Sequence, residues 1–122
     1  MTPLLKTLLA PVAWVADKLG PSAEVERRPD AQARVDRECE RLALYQFRAD
    51  PDCIQVRREI IRLNLAIEVR DAQLDPDHRR ALKEEGGKVQ VPCLRIAADE
   101  GPDRWLYDTR AIIAWLRRHF GE

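Results

Sequence analysis

Apolar positions recur along this chain with two different spacings, and the switches between them predict its elements. Leu42-Ala43-Leu44-Tyr45-Gln46-Phe47 is an apolar run of strand length, after which Ile54, Val56, Ile60, Ile61 and Leu63 punctuate a charged segment of helix length. Ala66-Ile67-Glu68-Val69-Arg70 reads as a second strand. A further helix opens at Asp75-Pro76-Asp77 and ends at Gly86-Gly87, where glycine suits a left-handed cap. Val89-Gln90-Val91 and Leu94-Arg95-Ile96 flank Pro92 as one interrupted strand, and Arg104-Trp105-Leu106-Tyr107 follows a turn at 99–103. The last helix begins at Asp108-Thr109 and runs through Ile112, Ile113, Trp115 and Leu116 to His119. The order β-α-β-α-β-β-α predicts an α/β domain: a right-handed βαβ unit makes the first two strands parallel, and a hairpin supplies the other two.

Ahead of this domain, which spans residues 42–122, the pattern changes. Residues 23–28 read as a charged connector, and a helix follows from Asp30 with Ala33, Val35, Cys39 and Leu42 on its inward edge, so that residues 21–41 form a connector and helix. Residues 1–20 carry Leu4, Leu5, Leu8, Leu9, Val12, Val15 and Leu19 at helical spacing. Pro11 interrupts them, and Lys6, Asp17 and Lys18 keep the apolar run below the ~20 residues a membrane span needs. A weak positive end and the lack of a small-x-small cleavage site argue against a signal peptide, and the segment is expected to be retained. It is expected to pack on its own domain or on a second copy. The sharper alternative is an anchor lying on a membrane surface with Trp14 at the interface.

Composition narrows the function classes. Lys plus Arg and Asp plus Glu both number 21 in 122 residues, so no charge excess argues for nucleic acid. Three cysteines with no close-set pair do not make a disulfide framework and fit a reducing, cytoplasmic compartment. His78 and His119 lie too far apart in sequence to suggest a metal site. Cys39 reads as a small buried apolar residue. Arg57, Arg58 and Arg62 form a basic stripe whose default reading is a solvated face and whose alternative is a surface for an acidic partner, and Trp105 and Trp115 are expected to fill the core.

The chemistry concentrates where the first strand meets its helix, at Phe47-Arg48-Ala49-Asp50-Pro51-Asp52-Cys53. A helix start favours negative charge, because its first N–H groups have no intrahelical partner and the macrodipole points its positive end there. Asp50 holds that position. Asp50-Pro51-Asp52 repeats as Asp75-Pro76-Asp77, an aspartate cap with proline in the first turn, and capping alone explains these acids. A general acid or base role for Asp50 has no partner visible in the sequence.

Leu44-Tyr45-Gln46-Phe47, Pro51-Asp52-Cys53, Gly86 to Pro92, and Tyr107-Asp108-Thr109 together resemble the glutaredoxin family of the thioredoxin-like superfamily, over residues 42–120. The same pattern is similar to the N-terminal domain of glutathione transferases; the chain ends at Glu122, so an independent transferase with a second helical domain is not expected. The resemblance implies a four-stranded mixed sheet flanked by helices, glutathione recognition and thiol–disulfide exchange. In that family a Cys-Pro-x-Cys opens the helix; Asp50 stands here at the position of the attacking cysteine, and Cys53 at the resolving one. A carboxylate cannot enter a mixed disulfide, so normal redox activity is expected to be lost.

By the same resemblance, Val91 would offer its main chain to the cysteinyl part of glutathione, with Pro92 cis, and Asp108 and Thr109 would hold the γ-glutamyl end. Arg48 and Lys88 are candidates for the glycyl carboxylate, against a default of solvated charge. Cys53 has three readings: an inert buried thiol, which is favoured; a thiolate favoured by the helix start but opposed by Asp50 and Asp52; and a disulfide with Cys93. Three functions follow. The first is a module binding glutathione or a protein thiol without normal catalysis and without a covalent cofactor. The others are a residual oxidoreductase using Cys53 and an interaction or membrane-surface adaptor acting through residues 1–20.

Overall fold

The computed structural model describes residues 22–121; the expected helical segment at residues 1–20 lies outside them. Eight elements follow in chain order: α1 (Pro29–Cys39), β1 (Leu42–Gln46), α2 (Pro51–Arg62), β2 (Glu68–Asp71), α3 (Pro76–Glu84), β3 (Cys93–Ile96), β4 (Arg104–Leu106) and α4 (Thr109–Phe120). They build a thioredoxin-like fold around a four-stranded sheet of order β2-β1-β3-β4. β1 and β2 are parallel, as the intervening helix requires, and β3 runs antiparallel to both β1 and β4.

β1 is buried at all five residues because both faces of the sheet are covered. Alternation along the strand sends Leu42 and Leu44 to the larger core, where they meet Val56, Ile60, Leu94, Ile112 and Leu116 under α2 and α4. Ala43 and Tyr45 point the other way, into a smaller core with Ala72, Leu82 and Cys93 under α3. A strand buried on both faces reads as a continuous apolar run, as this one does.

Several boundaries differ from the sequence pattern. β2 begins at Glu68, not Ala66, because its first partner on β1 is Ala43. Leu65 and Ile67 are buried before the ladder starts. Val89-Gln90-Val91 is a loop and not a strand: β3 joins the ladder only at Cys93, after Pro92, which has no N–H to donate. Ala33 is exposed on α1, and Val25, in the charged connector, is core. The connector docks through the N–H groups of Glu24 and Val25, which donate to the Arg62 carbonyl. Trp105 and Trp115 are half-buried at the margins of the two cores rather than inside them.

The basic stripe on α2 is also more than a solvated face. Arg62 donates to Glu59 at 2.6 Å, and Arg117 of α4 reaches the same carboxylate at 2.9 Å. Glu59 is 6% exposed and joins the two helices across the face of the larger core. The guanidinium of Arg62, then that of Arg117, hold its acid at about 2 against the burial that would raise it from 4.5.

A carboxyl depressed in the folded state contributes stability that is complete above its unfolded value near 4.5 and is lost as pH falls through about 2. Replacing Glu59→Gln is therefore expected to destabilise the fold by about 1–3 kcal/mol near pH 6. Urea melts from pH 6 to pH 2 should show the gap between wild type and variant closing at the acid end; a gap independent of pH would exclude this role.

Candidate functional site

Strand register brings the candidate residues to one edge of the sheet. Tyr45, near the end of β1, pairs with Cys93 at the start of β3, and Leu106, at the end of β4, pairs with Leu94. The β1–α2 loop with Arg48 and Asp50, the loop entering β3 with Val91 and Pro92, and the start of α4 with Asp108 and Thr109 thus leave from the same side. Phe47, Val91 and Tyr107 all pack on the smaller core beneath them.

Asp50 is the N-cap of α2. Its backbone is extended (φ −69°, ψ 128°), and its carboxylate accepts the N–H of Cys53 at 2.9 Å. Such a cap contributes about 1 kcal/mol, and here it also occupies a backbone donor that a bound anion would otherwise use. Asp108 caps α4 in the same way, accepting from the N–H of Ala111 at 2.9 Å. Asp75 caps α3 through the N–H groups of Asp77 and His78. The capping explanation of these acids thus holds in detail at all three helices.

Cys53 sits one turn inside α2 and is fully buried. Its Sγ accepts the N–H of Phe47 at 3.5 Å, which helps the thiolate, but burial first and the Asp50 carboxylate next push the thiol up to about 12. A thiolate is scarce there at neutral pH, which argues against Cys53 as an attacking group. Cys93 is also fully buried, its thiol pushed by burial up to about 12, and it stays free rather than paired with Cys53. Cys39 is the third buried free thiol, raised by burial to about 11.

The Val91–Pro92 peptide bond is cis. Pro92 is buried and Val91 half-exposed. Among the described residues neither the N–H nor the C=O of Val91 has a hydrogen-bond partner. One donor and one acceptor are therefore left without a protein partner at the edge where the sheet ladder stops. Arg48 is exposed, as expected, and its carbonyl accepts from Arg57 at 2.8 Å. Lys88 is exposed with its Nζ 4.8 Å from the centre of the Tyr107 ring.

Two supports of this edge escaped the sequence reading. Arg57 bonds both the Gln46 side chain and the Arg48 carbonyl, strapping the β1–α2 loop to its helix. Tyr107 donates its hydroxyl to the Lys88 carbonyl at 3.1 Å and so fixes the path of the chain toward Val91. Its phenol is driven up to about 12, chiefly by burial. Gly86-Gly87 carried the signal, and for a second reason besides the left-handed glycine expected past the helix end. A Cβ at Gly86 would stand 2.4 Å from the Tyr107 hydroxyl and 2.6 Å from the Leu82 carbonyl, whereas Gly87 is the one with positive φ, +104°.

Residues 43–99 match the family model described as Glutaredoxin. Among solved structures, maleylacetoacetate isomerase from Anaeromyxobacter dehalogenans, crystallised with GSH in its active site, is 26% identical with a TM-score of 0.51, over 66% of this chain and 38% of its own. Wheat glutaredoxin is similar at 19% identity and a TM-score of 0.50, over 76% of this chain and 87% of that one. Glutathione transferase Omega 2S from Trametes versicolor, at 13% identity and a TM-score of 0.54, shares the fold over 66% of this chain and 36% of its own. The chain spans well under half the length of the isomerase and the transferase. No curated protein sequence matches it.

The cap and the thiol make separable predictions. Asp50→Ala should cost about 1 kcal/mol in chemical denaturation and Asp50→Ser little, since a hydroxyl also accepts from the helix start. Alkylation by iodoacetamide at neutral pH should leave all three cysteines unmodified until the protein is unfolded. Rapid native labelling of Cys53 would contradict the burial and the raised thiol described above.

Proposed function

Because this chain carries a glutaredoxin-like domain of the thioredoxin-like fold, we propose that it is a glutathione- or protein-thiol-binding module that has lost normal thiol–disulfide chemistry. The observation that carries this reading is the Asp50 carboxylate capping α2; the resemblance to glutaredoxins aligns this position with the family's attacking cysteine. Attack on a disulfide requires a sulfur that can form the new S–S bond, and a carboxylate oxygen cannot replace it. Cys53, buried and held protonated, does not take over the task.

Recognition needs no thiol. In this reading Val91 presents its N–H and C=O to the cysteinyl residue of glutathione as an added strand, beside Pro92. Thr109 and the N–H groups opening α4 receive the γ-glutamyl carboxylate, and Asp108 the γ-glutamyl ammonium. One Asp108 oxygen already accepts from Ala111, which leaves the other for the ligand. Arg48 and Lys88 supply positive charge for the glycyl carboxylate. The isomerase from Anaeromyxobacter dehalogenans holds GSH on a related fold, which supports glutathione as the ligand class. The match is to part of that protein only, so its activity is not carried over. No helix among the described residues is long and apolar enough to cross a membrane.

Restoring the missing sulfur tests this directly. In Asp50→Cys the helix start favours a thiolate, which attacks one sulfur of oxidised glutathione, forms a protein–glutathione disulfide and releases glutathione thiolate. Intact-mass spectrometry should show the adduct on this variant and none on wild type. Titration of reduced glutathione should move the Val91 amide signal in wild-type NMR spectra. Deglutathionylation turnover by wild type that is abolished in Cys53→Ser, or a Val91 amide indifferent to glutathione, would overturn the reading.

A further inference from the structure

A concentration of positive charge adjoins the candidate site. Arg79, Arg80 and Lys83 on α3 and Lys88 beyond it line a shallow groove of about 490 Å³, together with Val89 and one acid, Glu84. Over the whole chain acids and bases are equal in number, so four cations against one carboxylate is a local segregation of charge. Arg80 has an exposed ion pair with Asp77 at 3.2 Å, a contact of small energetic weight. Among the described residues Arg79 and Lys83 have no ion pair, and all four cations are exposed. Val89, 37% exposed, lies two residues from Val91, whose main-chain donor and acceptor have no partner among the described residues.

We propose that this groove docks an acidic, extended segment of a partner protein, read by its main chain at Val91 and by its carboxylates at Arg79, Lys83 and Lys88. The proposal rests on the reading of Val91 as a ligand-binding edge and adds a partner class to it. The chemistry of that edge selects polypeptide. An extended peptide offers an N–H and a C=O with the spacing of a strand to Val91, whereas a phosphodiester backbone brings acceptor oxygens alone and a phospholipid headgroup has no strand-spaced pair. Along an extended chain alternate side chains face the same way, about 6.6 Å apart, so acids at every second position would all turn toward the groove. Lys88 belongs to both ligands: the glycyl carboxylate of glutathione is the smallest acid it would meet.

Fluorescence anisotropy with the full-length chain tests the proposal. The probes are a terminally blocked ten-residue peptide alternating Glu and Thr, its Lys/Thr counterpart, a twenty-nucleotide oligothymidylate and phosphatidylserine vesicles. The acidic peptide should bind, weaken as salt rises, and lose about tenfold or more in affinity in Arg79→Glu/Lys83→Glu, with a smaller loss in Arg79→Gln/Lys83→Gln. Arg58→Glu, on α2, should leave its affinity unchanged. Equal binding of the basic peptide, tighter binding of oligothymidylate or vesicles, or full affinity in the charge-reversed variant would overturn it. The Val91 amide separates the two readings: if glutathione moves it and the acidic peptide does not, docking fails alone, and if neither does, both fail.

Discussion

A single carboxylate on a helix start organises this protein. The N–H groups opening α2 must be satisfied, and Asp50 satisfies one of them from within the chain. That bond fixes where the β1–α2 loop ends. It also puts negative charge beside Cys53, which burial has already made hard to ionise. One carboxylate therefore has two effects: what makes Asp50 a good cap makes this end of the helix a poor seat for a reactive sulfur.

The remainder of the edge is held by contacts that reach across sequence. Arg57 straps the loop after β1, and Tyr107 fixes the chain before Val91 from beyond β4. On the far side of α2, Glu59 ties that helix to α4 through Arg117. The candidate binding main chain thus belongs to a braced frame. A ligand adding as a strand would meet a donor and an acceptor already in place, with little ordering cost to overcome.

Much of this was legible in the residues. The β-α-β-α-β-β-α order and the aspartate caps follow from apolar spacing and turn chemistry, because each of those signals is local. What was missed is non-local. Glu59 sits among charges on a helix and looks like surface; Arg117, 58 residues away, joins Arg62 in holding it as a buried acid. Val89-Gln90-Val91 has strand composition, yet pairing stops at Cys93 because Pro92 cannot donate. Val25 is one apolar residue in a charged connector, and docking on the Arg62 carbonyl, not local pattern, buries it.

Gly86 carries one more consequence. Its hydrogen sits where α3, the Tyr107 hydroxyl and the Trp105 ring converge, so any side chain there would act as a wedge between them. Val89 and Gln90, exposed in the loop that follows, stand under no such constraint: there a changed side chain meets solvent and leaves the scaffold beneath untouched.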